Sequence, residues 1–196
     1  MKRVLVIHGW SNRRDPDHWQ HRLVSALRNQ GHQVMYPQLP NTENPVVDEW
    51  LEVAEAELEM LQELGTDELI VIGHSLGCLT WMHLVMRGLV PEIVDRVLLV
   101  APADPELCEA AVGFPLELGD DALKQRLHAA AGKTTILASD ADPWIPRGVQ
   151  QTFSDVLEFE TVLLPGAAHL AMQDGWGPWQ GVIDWVNDSG ADLSHR

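Results

Sequence analysis

Two cysteines, Cys78 and Cys108, are all that the chain carries. They are too few for a disulfide framework and read as free, buried thiols in a reducing compartment. Positive charge is also scarce: 13 Lys and Arg face 29 Asp and Glu, a net charge of −16. That balance disfavours nucleic acid and anionic membrane surfaces as partners. Long apolar runs are missing. The run that begins at Val4 in "MKRVLVIHGW" stops at His8-Gly9, too short for an export signal, and nothing else approaches a membrane span. A cytoplasmic protein is expected. There is no glycine-rich phosphate loop to imply a nucleotide. His18 and His21, one helical turn apart, lack a third partner at ligand spacing, so neither a metal nor another cofactor is expected. Repeats, low-complexity tracts and linkers are absent too. Residues 1–196 are therefore expected to form one domain, with "SGADLSHR", from about residue 189, as a frayed tail.

What is present is a core. Apolar residues make up 45% of the chain, enough to exclude disorder. Strand-like runs alternate with helix-like ones. The runs at Val4 to Ile7, Gln33 to Tyr36, Leu69 to Ile72, "RVLLVAPA", "KTTILAS" and "EFETVLLPG" read as strands. Helices are expected from Pro16 to Asn29, Leu76 to Met86, about Pro146 onward and Gly177 to Val186, with a mixed helical stretch from Pro105 to Ala131. "NPVVDEWLEVAEAELEMLQELG" has helix signals at both ends, with Asn44 as N-cap, Pro45 in the first turn and Gly65 past the end. Its Trp50 and leucine stripe lies on one face and reads as core. Alternation of this kind predicts an α/β fold, a mostly parallel sheet covered by helices on both faces.

"ELIVIGHSLGCLT" places Ser75 between Gly73 and Gly77, where the buried strand must turn into a helix. Such a junction can project a side chain from the sheet's carboxyl edge in strained backbone geometry, with glycines letting neighbouring chain pass close. This is the arrangement of a nucleophile elbow. A serine hydroxyl needs a histidine to take its proton, and the histidine needs an acid to orient it. In elbow folds these follow in the order serine, acid, histidine. "TTILASDADPWIP" ends one later strand with Asp140 and Asp142, and "TVLLPGAAHLAMQ" ends the next with His169. Asp142, just ahead of Pro143 and a helix, would also suit an N-cap. Asp104 is the next acid to consider. The developing oxyanion needs backbone N–H donors: the amide of Leu76 is one, and the loop after the first strand supplies the other, from Trp10 or, failing that, Ser11. His8 and His74 precede the acid and are given structural roles.

Together "VIHGW", "HWQHRL", "GHSLG", "SDADPWIP" and "AAHLAMQDGWGPWQG" resemble the small serine hydrolases of the retinoblastoma-binding-protein type, especially bacterial members. The resemblance implies a minimal α/β-hydrolase fold that begins at the "HG" strand, with Ser75, Asp142 and His169 as the triad. Ala168 stands where relatives often have glycine, and Asp174 where they carry a small polar residue. "ELCEAA" lacks the spacing of the pocket-protein motif, so no retinoblastoma partner is carried over and the protein partner stays unknown. The expected reaction is cleavage of a small ester, thioester or amide acyl substrate, without cofactor. A non-catalytic binding or regulatory protein, or an acyltransferase, on the same fold are the alternatives. About 30 residues separate Ala101 from Lys133, which leaves no room for a large cap. A shallow pocket walled by Trp10, Trp144 and Trp176 is expected.

Overall fold

Val4, Leu5, Val6 and Ile7 are all fully buried, as a strand must be when helices cover both faces of its sheet. They belong to β1 (Arg3–Ile7), which pairs in parallel with β2 (Gln33–Met35) on one side and β3 (Leu69–His74) on the other. β4 (Val94–Val100), β5 (Ala131–Ala138) and β6 (Glu160–Leu163) continue outward from β3. The order is β2-β1-β3-β4-β5-β6, with every pairing parallel. The chain reverses its direction of winding between β1 and β3, and in open α/β sheets the crevice at such a switch point is where ligands bind. This computed structural model describes residues 1–65, 67–91 and 93–196.

Alternate strand residues feed two core layers, as the period of two requires. Leu5, Ile7, Leu69, Val71, Val97 and Leu99 pack under α2 (Val47–Glu63), α3 (Leu76–Arg87) and α5 (Asp121–Ala130). Val4, Val6, Ile70, Ile72, Leu98 and Val100 pack under α1 (Trp19–Asn29) and α7 (Gln180–Asn187). The amino ends of the strands carry ion pairs: Lys2 and Arg96 both meet Glu68, and Lys133 meets Glu160 at 2.9 Å. Among the described residues no helix is long and apolar enough to cross a membrane.

Several helix boundaries differ from expectation. α2 starts at Val47, capped by Val46 rather than Asn44. Asn44 lies instead in a turn ahead of the helix, its amide donating to the Asn41 carbonyl at 2.8 Å. α1 begins at Trp19 rather than Pro16, because Asp15 folds 15–18 into a turn and the His18 ring caps the helix, accepting from the Gln20 amide at 3.2 Å. The stretch from Pro105 to Ala131 breaks in two. α4 (Pro105–Val112) stops at Gly113, whose φ of +65° only glycine adopts freely, and α5 restarts on the Asp120 cap. In place of a helix from Pro146, a π-turn (Gln150–Ser154) runs into a helical turn, α6 (Asp155–Leu157). α7 starts at Gln180 because Pro178 and the extended Trp179 cap precede it.

The closing segment is not a frayed tail. Leu193 is buried, its carbonyl accepts from Trp179 Nε1 at 2.8 Å, and the His195 carbonyl accepts from the Gly181 amide at 2.7 Å. A Cβ on Gly181 would lie 2.5 Å from the Asp192 carbonyl oxygen, so the glycine is what admits the segment. Its largely polar composition hides this anchorage.

Candidate active site

At the carboxyl end of β3 the chain must leave the sheet and enter α3 within one residue. Ser75 makes the turn at φ 54°, ψ −122°, a region costly for any residue with a Cβ. The space around it exists only because neighbours are glycine. A Cβ on Gly77 would sit 2.4 Å from the Ile7 carbonyl oxygen, one on Gly9 2.8 Å from Ser75 Cβ, and one on Gly73 3.0 Å from the Cys78 amide. The hydroxyl therefore stands at the mouth of the switch point.

Ser75 Oγ lies 2.9 Å from His169 Nε2, and His169 Nδ1 lies 2.8 Å from Asp142 Oδ2. The Asp142 side chain is fully buried and also accepts from the Trp144 amide at 2.8 Å. A carboxylate on Nδ1 keeps the ring proton there and leaves Nε2 as the acceptor facing the hydroxyl. Asp140 is engaged elsewhere, accepting from the Gly166 amide at 2.7 Å and so tying the acid loop to the histidine loop. Asp104 caps α4 and is ion-paired with Arg147 at 3.1 Å.

The cleft around Ser75 has a volume of about 530 Å³. Ala103, Cys108, Ala111 and Val112 give it an apolar side; Asn12, Arg13, Asp15 and His18 give it a polar one. Trp10 and Trp144 both line it, edge to face at 5.6 Å. Trp176 does not. It lies behind the histidine loop, donating from Nε1 to the Ala167 carbonyl at 3.0 Å, with its ring against Trp179 and the Arg196 guanidinium 3.8 Å from its centroid. A tryptophan in a glycine-rich block suggests a pocket wall, but the turn at Gly175 (φ +84°) carries this one inward.

The Ser11 amide donates to the Thr42 carbonyl at 2.9 Å. Among the described residues the Trp10 amide has no backbone partner, and Leu76 is the first residue of α3, where amides lack intrahelical acceptors. The loop carrying Trp10 is held from below by the buried Gln20, which donates to the Ile7 carbonyl at 3.0 Å and accepts from Asn12.

Three other histidines surround the site, all held neutral. Desolvation lowers His8 and His18 to about 4 and pushes His74 well below its ordinary value. His8 Nε2 accepts from the Leu39 amide at 2.9 Å, and His74 Nε2 donates to the His169 carbonyl at 3.1 Å. The thiols are silenced as well: burial raises Cys78 far above its usual value and Cys108 to about 12. Sequence reasoning missed the residues that shape the histidine loop. Ser139 Oγ accepts from the Ala167 amide at 2.9 Å, and Trp19 Nε1 donates to the Leu170 carbonyl at 2.9 Å. Side-chain bonds across so many residues leave no local pattern to read.

Residues 4–188 match the model of a family described as serine hydrolase. A search of curated proteins finds no sequence match. Among solved structures, the ydeN gene product of B. subtilis superposes with a TM-score of 0.78 at 20% identity, covering 95% of this chain and 97% of that one. A putative YdeN-like hydrolase from Pectobacterium atrosepticum gives 0.69 at 23% identity, over 95% and 89%. Est1E from Butyrivibrio proteoclasticus, in its ferulic acid complex, gives 0.58 at 16% identity, over 96% and 86%. These likenesses describe an α/β-hydrolase fold without a large cap.

Proposed function

The chain belongs to the serine hydrolase family, and from that premise we propose that it cleaves a small ester, thioester or amide through an acyl-enzyme on Ser75. One observation carries the reading: Ser75 Oγ, His169 and Asp142 form a continuous hydrogen-bonded line, with steps of 2.9 and 2.8 Å, opening into the cleft. In this mechanism His169 Nε2 takes the hydroxyl proton as Oγ attacks the acyl carbonyl. Asp142 holds the ring and stabilises the imidazolium, and the Leu76 and Trp10 amides receive the oxyanion. His169 then protonates the leaving group, and water, deprotonated in turn by His169, releases the acid. The Ser11 amide, committed to Thr42, is left out of this assignment.

The apolar side of the cleft suits a short acyl group, and the absence of a large cap supports a carboxylesterase-like preference over lipase-like action. The motif resemblance supports a place near the retinoblastoma-binding-protein type within the family. Two free, buried thiols suit a reducing, cytoplasmic setting. Labelling with a fluorophosphonate, followed by peptide mapping, tests the core of the proposal. A single adduct on Ser75, lost in Ser75→Ala together with turnover of p-nitrophenyl acetate, is expected. No adduct overturns the reading in favour of a binding protein on a hydrolase fold, and an adduct on another serine overturns the assignment of Ser75 as the nucleophile.

A further inference from the structure

His169 sits in backbone that its neighbours do not favour. Ala168 and Leu170, on either side of it, have φ of +52° and +53°, the left-handed region that residues with a Cβ seldom enter. A loop with two such residues keeps one shape only if other groups impose it. Neither backbone polar group of His169 is tied into a strand or helix; side chains take both. The carbonyl accepts from His74 Nε2 at 3.1 Å, and the amide donates to Asp174 Oδ2 at 3.0 Å.

Asp174 does more than meet one amide. The same oxygen, Oδ2, accepts from the Ala171 amide at 3.2 Å, so a single atom spans the Leu170 turn from both sides. The chain is brought round to allow this. Met172–Asp174 form a 3₁₀ turn, Gly175 closes it at φ +84°, its amide donates to the Met172 carbonyl at 3.0 Å, and the Trp176 amide donates to the Ala171 carbonyl at 3.1 Å.

We propose that Asp174 is a positioning residue for the reaction, its Oδ2 fixing the His169 main chain so that the imidazole meets Ser75 and Asp142 at hydrogen-bonding distance. This rests on the reading of His169 as the base. The carboxylate acts as an acceptor and not as a charge, since one oxygen makes both bonds. Asparagine, which has one such oxygen, should therefore replace it.

The test compares Asp174→Leu, Asp174→Ala and Asp174→Asn with the wild type. It uses p-nitrophenyl acetate kinetics, the rate of fluorophosphonate labelling, thermal unfolding, and the low-field proton resonance of the His169–Asp142 hydrogen bond. In the Leu and Ala variants kcat should fall on the order of a hundredfold, the cost of misplacing a reacting group by about an ångström. KM should barely move, labelling should slow in parallel, and the low-field resonance should broaden or vanish. Asp174→Asn should keep the resonance and stay within about threefold of wild-type kcat, because it keeps the acceptor. The proposal is overturned if a folded Leu or Ala variant retains kcat and the resonance, or if Asn fails as they do, which would make the charge the active element. It also falls if neither Leu nor Ala folds, since the carboxylate then serves the fold and not His169. A wild type unlabelled at Ser75 would refute the hydrolase reading separately, and the resonance alone would still decide whether Asp174 positions His169.

Discussion

Two aspartates, one turn of loop apart, have different tasks, and their partners say which is which. Asp142 is fully buried against His169 Nδ1, whereas Asp140 receives a backbone amide from the histidine loop. Asp142→Asn should lower kcat by on the order of a thousandfold or more, because an amide nitrogen facing Nδ1 favours the wrong tautomer of the base. Asp140→Asn keeps the oxygen that meets Gly166 and should change kcat little. Steady-state kinetics on both variants, with circular dichroism to check folding, reads the difference. An equal loss in both would move the acid's role from one residue to the loop as a unit. Ser75, Asp142 and His169 can be singled out in the sequence because they follow three strand-like runs in the order serine, acid, histidine. Asp174 and Ser139 are not, since what they do depends on a loop conformation that no short pattern encodes.

At the scale of elements, the strands are the legible part. Runs such as Leu69 to Ile72 are apolar on both faces and admit no other buried arrangement in an alternating chain. Helix starts are the less legible part, because turns just ahead of the helix, as at 15–18 and 41–44, delay it by two or three residues. The closing segment is hard to read for a different reason: one leucine and one glycine anchor it among polar neighbours. Leu193→Ala should therefore cost at least about 2 kcal/mol, the low end for emptying a buried leucine site, and lower the midpoint of urea unfolding. An unchanged midpoint would mean that the segment adds nothing to the fold. Because Trp176 joins this region to the Ala167 carbonyl, deletion of 191–196 should lower activity as well as stability.

Across the whole molecule, buried neutral imidazoles tie stability to pH. His8 and His18 are held at about 4 against an ordinary value of 6.5, so between those values the unfolded chain binds protons that the folded chain refuses. Stability should be full above about pH 6.5 and decline as pH falls toward 4, by up to about 1.4 kcal/mol per pH unit for each such ring. Urea unfolding at pH 7.5, 5.5 and 4.5 measures it; a flat dependence would mean that these rings take up protons in the fold as readily as in the unfolded chain. Substrate range is also set globally. With no large cap above the cleft, each further methylene gains up to about 0.8 kcal/mol only while a wall remains to bury it. Values of kcat/KM for p-nitrophenyl esters should peak between acetate and butyrate; an optimum at octanoate or longer would reveal a deeper channel.

The parallel sheet also separates the molecule's amines from its cleft. Of the three lysines, Lys2 and Lys133 stand at the amino ends of β1 and β5, and Lys124 is paired with Glu158 just ahead of β6. None lines the cleft. Attachment to an amine-reactive support would accordingly orient the protein, fastening it by the rim opposite Ser75 and leaving the entrance turned toward the surrounding liquid.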